Sequence, residues 1–351
     1  MFTCLVGFGF TQAKAHAWTG LAPSSRYELL HPGNRRVPNP TPHAQRCHGI
    51  AYSEEEKAMI AAQINAEPGS TITQIHTKHL DAGTALASKA TYHRIARSAL
   101  CPTRFHPQPQ AMAARPTAMP PQLKASRPYE TLVWDITFLP LLARGQSVAL
   151  HMVLDLYSRS VVGWAVGPYQ CASLAATLFD QVITKAAGQG LGVEVIHSDN
   201  GSTMKSQALK KVAERYAVKR SFSRPHVSDD NPHMESSFAT LKNHASYPGV
   251  FEDLEHARAW VEEWVEFYNT HRVHPGLADF TPAQILDGSW EEAWQVRQRN
   301  ALVLYAANPA RYRYRKPVIA KPVLGVSFNL TNTPGDVSNR STVSAVINTK
   351  P

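Results

Sequence analysis

The sequence predicts an α/β protein: a mixed sheet with helices against its faces, preceded by a small all-helical domain. Three observations predict it. Capped segments with apolar residues at helical spacing lie between 53 and 97. A proline-rich stretch from 101 to 128 follows. Then come three consecutive strand-like runs and an alternation of helical and strand-like segments. At 351 residues the chain has room for about two compact domains and their linkers.

Residues 1–51 are rich in Pro, His and Arg and form a poorly defined segment, with one short helix expected around Ala13 to Leu30. Ser53 followed by Glu54, Glu55 and Glu56 fits a capping box, and Met59, Ile60 and Ile64 continue as an apolar stripe, so a helix is expected from about 53 to 65. Pro68-Gly69 breaks it. Ser70 or Thr71 caps a second helix carrying Ile72, Ile75 and Leu80, and Asp81-Ala82-Gly83 makes a turn. A third helix opens at Ser88 and runs through Tyr92, Ile95 and Ala96. Residues 52–100 thus suit a helix-turn-helix domain whose last helix presents Lys89, Thr91, Arg94 and Arg97 to a major groove. A small bundle with a solvated basic face satisfies the same pattern.

From Cys101 to Pro128 prolines recur among Ala, Gln and Arg, a composition that favours extended chain and marks a linker. Strands are expected over 131–139, 147–154 and 160–166, a helix over 172–187 and a strand over 192–197. A helix near 206–216, a short strand at 218–222, a helix from about Asp230 and a long amphipathic helix over 254–269 complete the domain, placed at 129–287. The part from 288 to 329 reads as less regular and basic. Its run Arg311-Tyr312-Arg313-Tyr314-Arg315-Lys316 suits either a nucleic-acid backbone or an edge strand. Residues 330–351, rich in Asn, Thr, Ser and Pro, are expected to be disordered.

Lys and Arg exceed Asp and Glu by 36 to 27, a formal charge of +9, which favours a polyanionic partner. Cys4, Cys47, Cys101 and Cys171 are too scattered for a zinc site and read as reduced thiols of a cytoplasmic protein. No apolar run reaches the roughly 18 residues a membrane span needs, and no basic residue precedes the short apolar stretch at the N-terminus, so neither a membrane nor secretion is expected.

Three acids carry the chemistry. Asp135 interrupts an apolar strand, where a carboxylate is costly to bury unless paired or metal-bound. Asp199 follows the strand ending at His197, ahead of a glycine turn, and active sites of such sheets collect at strand ends. Glu235 sits about one turn into a helix opened by Pro232. Between Asp199 and Glu235 lie 35 residues, enough for a helix, a strand and a return loop. Three carboxylates without Cys or His partners suit hard cations, Mg²⁺ or Mn²⁺. Two such ions about 4 Å apart drive in-line phosphodiester displacement. Asp155 reads as a hairpin residue paired with Arg159. His197, His226 and His233 are not expected to bind metal, because His favours softer ions. Asn200 and Ser202 either bond a phosphate or shape the turn after Asp199, and Arg224 joins the expected DNA contacts. His271, Arg272 and His274 either face DNA or cap a helix C-terminus.

The stretches WDITFLP (134–140), VLDLYSRSVVGW (153–164), HSDNGS (197–202), SRPHVSDDNPHMESSFATLK (223–242) and FYNTHRVHPGLADFTPAQ (267–284) resemble the integrase core of insertion-sequence transposases related to retroviral integrases, in the insertion sequence 3 group. ASKATYHRIAR (87–97) is similar to that family's third-helix segment. The resemblance implies a ribonuclease-H-like fold, Asp135, Asp199 and Glu235 as metal-binding catalytic acids, and Lys242 as a DNA contact near them. It also implies Mg²⁺-dependent cleavage at the terminal inverted repeats of an element and transfer of the 3′-hydroxyl to target DNA. A homo-multimeric synaptic complex, a partner protein from an upstream reading frame and action on the bacterial nucleoid follow from it as expectations. HMES (233–236) departs from the family's usual residues around the glutamate. The alternatives are a ribonuclease-H-type nuclease and an inactive DNA-binding remnant.

Overall fold

The computed structural model describes residues 2–20, 50–98, 123–224 and 231–328. The chain divides into two compact units, Met1–Ala51 and Tyr52–Pro351. In the first, α1 (Phe2–Gly7) and α2 (Gln12–Thr19) are short helices. The helix expected from Ala13 to Leu30 is realised as far as Thr19, and the rest of it lies outside the described residues.

The second unit opens with α3 (Glu54–Asn65), α4 (Ile72–Asp81) and α5 (Lys89–Ala96). The Ser53 capping box is present in both directions: Glu56 N donates to Ser53 Oγ at 3.1 Å and Ser53 N donates to Glu56 at 2.8 Å. Thr71, not Ser70, caps α4 and forms a second such box with Gln74. Each box satisfies amide donors that a helix start leaves unpaired, which explains why both helices begin where they do. Ile60, Ile64, Ile72, Ile75, Tyr92 and Ile95 meet in one buried cluster.

The linker expected at 101–128 lies mostly outside the described residues, but its end is ordered. There β1 (Leu123–Ala125) pairs antiparallel with a strand at Val326–Phe328. The main sheet comprises β2 (Thr131–Pro140), β3 (Ser147–Asp155), β4 (Val161–Gly167), β5 (Val195–Ser198) and β6 (Lys219–Phe222), in the order β4-β3-β2-β5-β6. The first three strands are antiparallel neighbours, while β2–β5 and β5–β6 are parallel. The parallel pairs need crossovers, supplied by α6 (Ala172–Gly188) between β4 and β5 and α7 (Gln207–Arg215) between β5 and β6.

Side chains alternate across the sheet and enter two cores. Leu132, Trp134 and Val153 pack with Phe179 and Val182 of α6 and Leu209 and Val212 of α7. Val133, Leu139, Leu150, Met152 and Leu154 pack with α8 (Pro232–Lys242) and α9 (Leu254–Thr270) through Met234, Phe238, Leu241, Val261 and Trp264. Three antiparallel strands followed by two parallel ones, with helices on both faces, is the ribonuclease-H-like arrangement.

The part beyond 288 is more regular than its sequence suggests. After α10 (Pro282–Asp287), α11 (Trp290–Ala307) is a long helix that packs on α4. The basic-aromatic run at 311–316 is neither an edge strand nor a solvent-facing stripe in full. It begins in a 3-10 turn (Pro309–Tyr312), and Arg311 pairs with Glu56 at 2.9 Å and lies 3.9 Å over the Tyr52 ring. Residues 330–351 lie outside the described ones.

Candidate active site

Strand register explains how two distant acids become neighbours. In the parallel pair β2–β5, Leu132 lies beside Ile196 and Val133 beside His197. The same offset continued past the last paired residues matches Asp199, in the turn after β5, to Asp135, so both acids lie at the same end of the two strands. Asp135 shares its strand face with Val133 and Leu139, which pack under α8, so its carboxyl points to the layer that holds Glu235.

The start of α8 is tied to the same strand. Asn231, its buried N-cap residue, donates from Nδ2 to Trp134 O at 3.3 Å, next to Asp135. Pro232 occupies the first helical turn, where a missing N–H costs nothing, and Glu235 follows inside that turn, exposed. Lys242 ends the helix, also exposed, two turns from Glu235 on the same face.

The turn after β5 is built around Asp199, whose Oδ1 accepts from Gly201 N at 3.0 Å. A Cβ on Gly201 would lie 3.1 Å from that oxygen and 3.2 Å from Met204 Sδ, so a side chain there would press on the turn. Asn200 donates its amide to Ser223 O, which pins the turn to the end of β6. Of the two roles open to Asn200, this bond is turn-shaping. Ser202 is exposed and Arg224 half-buried.

Electrostatics register the convergence. The Asp135 carboxyl is pushed up to about 7, first by burial and further by the charges of Asp199 and Glu235, against one stabilising bond from Ile136 N at 2.7 Å. Both other acids are therefore within electrostatic reach. Among the described residues, however, no three His, Cys, Asp or Glu side chains are gathered closely enough to hold a metal ion. The donor chemistry fits a hard divalent cation, since an all-carboxylate set with a buried, proton-retaining member is what such a charge would stabilise. The spacing is open, and residues 225–230, including His226, Asp229 and Asp230, lie outside the described ones.

Other expected residues have structural partners. Asp155 is fully buried and its carboxylate accepts from Tyr129 N at 2.9 Å, Ser158 N at 2.9 Å and Ser158 Oγ at 2.6 Å, so it braces the β3–β4 turn; its pairing with Arg159 is through the backbone, Arg159 N donating to Asp155 O at 2.7 Å. Arg159 adopts φ 62° at that turn and its Nη1 lies 3.1 Å from His233 Nδ1. His197 is buried between Ser221 and Ser223. His271 caps α9, while Arg272 and His274 are half-buried below α8.

The expected groove-reading face of α5 is partly committed elsewhere. Thr91 is a correction: it is 6% exposed and lies on the apolar flank with Tyr92 and Ile95, so it faces the bundle. Lys89 is paired with Asp279 at 2.5 Å, whereas Arg94 and Arg97 are exposed.

The sheet order defines a ribonuclease-H-like core. Residues 125–228 match the integrase core domain family, and 216–282 match a second integrase core domain model. The putative transposase InsK for insertion sequence element IS150 of Escherichia coli is 27% identical over 169 residues, 48% of this chain and 58% of that protein. The transposase for insertion sequence element IS904 of Lactococcus lactis is 30% identical over 169 residues, 48% of this chain and 65% of that protein. The matches thus span less than two thirds of either relative. The magnesium-bound integrase catalytic core of HTLV-2 is 19% identical with a TM-score of 0.35, covering 45% of this chain and 97% of that one. Residues 125–282 thus match integrase core models, and the chain is similar to insertion-sequence transposases.

Proposed function

We propose that the protein is a transposase that cleaves the ends of an insertion element and joins the freed 3′-hydroxyl to target DNA, with Asp135, Asp199 and Glu235 as its metal-binding catalytic acids. The observation that carries this is the Asp135 carboxyl, buried in a strand and raised by the charges of both other acids. The relatives' names, the integrase core match and the excess of basic residues support the same reading.

Mg²⁺ or Mn²⁺, two ions per site in this reading, would be held by the three carboxylates and would activate the attacking oxygen and stabilise the leaving one. The chain's own part is positioning. The Gly201 N–H holds the Asp199 carboxylate at the end of β5, and Asn231 sets the start of α8 against β2. Lys242, Ser202 and Arg224 are assigned to the DNA next to the acids, with Arg94, Arg97 and Lys89 of the helix-turn-helix on the terminal repeat. For Lys89 this requires release from Asp279. A homo-multimer joins two ends, an upstream-frame protein assists, and the site of action is nucleoid DNA in the bacterial cytoplasm.

The test is Asp199→Asn, assayed on an element-end duplex in Mg²⁺. Strand transfer is expected to vanish while duplex binding persists; full activity in the variant would refute the assignment of the acids. The open spacing of the acids favours one competitor, a remnant that binds DNA without cutting it. Calorimetric titration with Mn²⁺ separates the two, because a remnant shows no binding that Asp135→Asn removes.

A further inference from the structure

We infer that the flank of α8 turned away from Glu235 holds a site for a phosphodiester of the DNA backbone, built by Arg159 and Arg272 with His274 and Thr240. The inference rests on the transposase reading and adds to it a second place where the nucleic acid is gripped.

Two guanidiniums converge there from separate elements. Arg159 comes from the β3–β4 turn and approaches His233, while Arg272, just past α9, donates from Nη2 to Thr240 Oγ1 at 3.2 Å. His233 and Thr240 are seven residues apart on α8, so the two arginines line one flank of that helix, about 10 Å along it. The loop at Gly276 lies in ordinary contact with the same groups. A Cβ there would lie 3.4 Å from His274 Nδ1 and 3.6 Å from the Arg159 guanidinium carbon. His274 is pushed down to about 3 by burial and by Arg159 and Arg272, consistent with its place between them.

Among the described residues no anion faces either guanidinium. Burial lowers the pKa of both arginines, and no carboxylate among the described residues offsets it. Among the described residues the Nε atoms of both, and His274 Nδ1, are buried without a hydrogen-bond partner. Among those residues each guanidinium uses one neutral partner out of five available donors. Two half-buried positive charges along one helix flank are unfavourable unless a negative group joins them, and the planar guanidinium fork matches the oxygens of a phosphate. A DNA phosphate suits the place better than a carboxylate from a second copy. The site shares α8 with Glu235 and Lys242, and the chain as a whole is strongly basic.

The experiment uses the full chain, a labelled non-specific duplex and inorganic phosphate. Arg159→Gln and Arg272→Gln are each expected to reduce the slope of log affinity against log salt by about 1, as loss of one phosphate contact requires. Inorganic phosphate is expected to raise the melting temperature of the unaltered protein above that in chloride of equal ionic strength, and this gain is expected to disappear in both variants. Arg159→Lys and Arg272→Lys keep the charge but lose the fork. They should fold, hold the salt slope and lose most of the phosphate response. An unchanged slope and an intact phosphate response in folded variants would overturn the inference, as would dissociation of a multimer at unchanged slope, which would assign the site to a carboxylate of another copy. If the unaltered protein binds no duplex at all, the transposase reading itself falls.

Discussion

Arg297 of α11 grips Asp81 at the end of α4 with two parallel bonds, Nε to Oδ1 at 2.5 Å and Nη2 to Oδ2 at 3.0 Å. Its remaining nitrogen donates to Asp279 O at 2.9 Å, and the guanidinium lies 4.2 Å over the Phe280 ring. At 3% exposure this side chain is the rivet between the three-helix bundle and the segment next to the integrase-type core. Asn300 adds a bond from Nδ2 to Leu80 O at 2.7 Å.

Arg297→Ala removes a buried guanidinium from Asp81, whose carboxylate is 37% exposed, and empties the space over Phe280. The expected loss is about 2 kcal/mol, from the lost hydrogen bonds and packing, with thermal unfolding splitting into two transitions as the bundle melts apart from the core. Differential scanning calorimetry checks this. A single transition at the original temperature would mean that the bundle and core are coupled by other contacts.

Asp135 has a folded-state pKa of about 7 against an ordinary value of 3.8. Between those values the folded protein, in metal-free buffer, keeps a proton that the unfolded chain has released, so stability declines as pH rises through this window. Asp135→Asn is expected to flatten the decline and raise the melting temperature at pH 8, by roughly 2–4 °C for each kcal/mol recovered, while strand transfer is lost. Melting curves from pH 4 to 8 in a chelator decide it; an equal or lower melting temperature for the variant at pH 8 would contradict the buried carboxyl.

Asn269 clamps the start of β4 to α9. Its Oδ1 accepts from Val161 N at 2.9 Å and Ser160 Oγ at 3.1 Å, and its Nδ2 donates to Val161 O at 2.9 Å. Asn269→Ala leaves those groups without partners and is expected to cost about 2–3 kcal/mol in chemical denaturation. Asn269→Asp keeps the acceptor but sets a carboxylate oxygen against Val161 O, and is expected to cost no less. A neutral Asn269→Asp would show that the donor half of the clamp is dispensable.

His151 is fully buried, lies 6.1 Å from Trp134 ring to ring, and has neither ring nitrogen bonded among the described residues. Burial lowers its pKa to about 4, and that of His76 likewise. A histidine with a depressed folded pKa withholds a proton that the unfolded chain binds below about 6.5, so stability falls as pH drops from there towards 4. His151→Leu is expected to be neutral or stabilising at pH 7 and to lessen the acid loss. Denaturation midpoints at pH 7 and pH 5 provide the measurement, and an undiminished acid loss would show that His151 is not its source.

The elements were legible because their signals are local. Ser53 with Glu56 announces α3, the breaks at Pro68-Gly69 and Asp81–Gly83 bound α4, and the strand-like apolar runs mark β2, β3 and β4. Asp135, Asp199 and Glu235 stood out as acids at a strand, a strand end and a helix start. By contrast α11 went unnoticed: Ala293, Trp294 and Ala301 make a sparse apolar face, and what buries Arg297 is a partner 216 residues away.

Contiguous residues by themselves determined α3 to α5, β2 to β6, α6 to α9 and the basic character of the chain, since periodicity, capping and charge need no distant partner. Only the tertiary structure decided that Thr91 turns inward, that Asp155 holds backbone amides while Arg159 goes to α8, and that Lys89 meets Asp279. The physical reason is that a polar side chain takes the partner the fold brings within about 3 Å, and several partners compete for each one until the sheet has set the register.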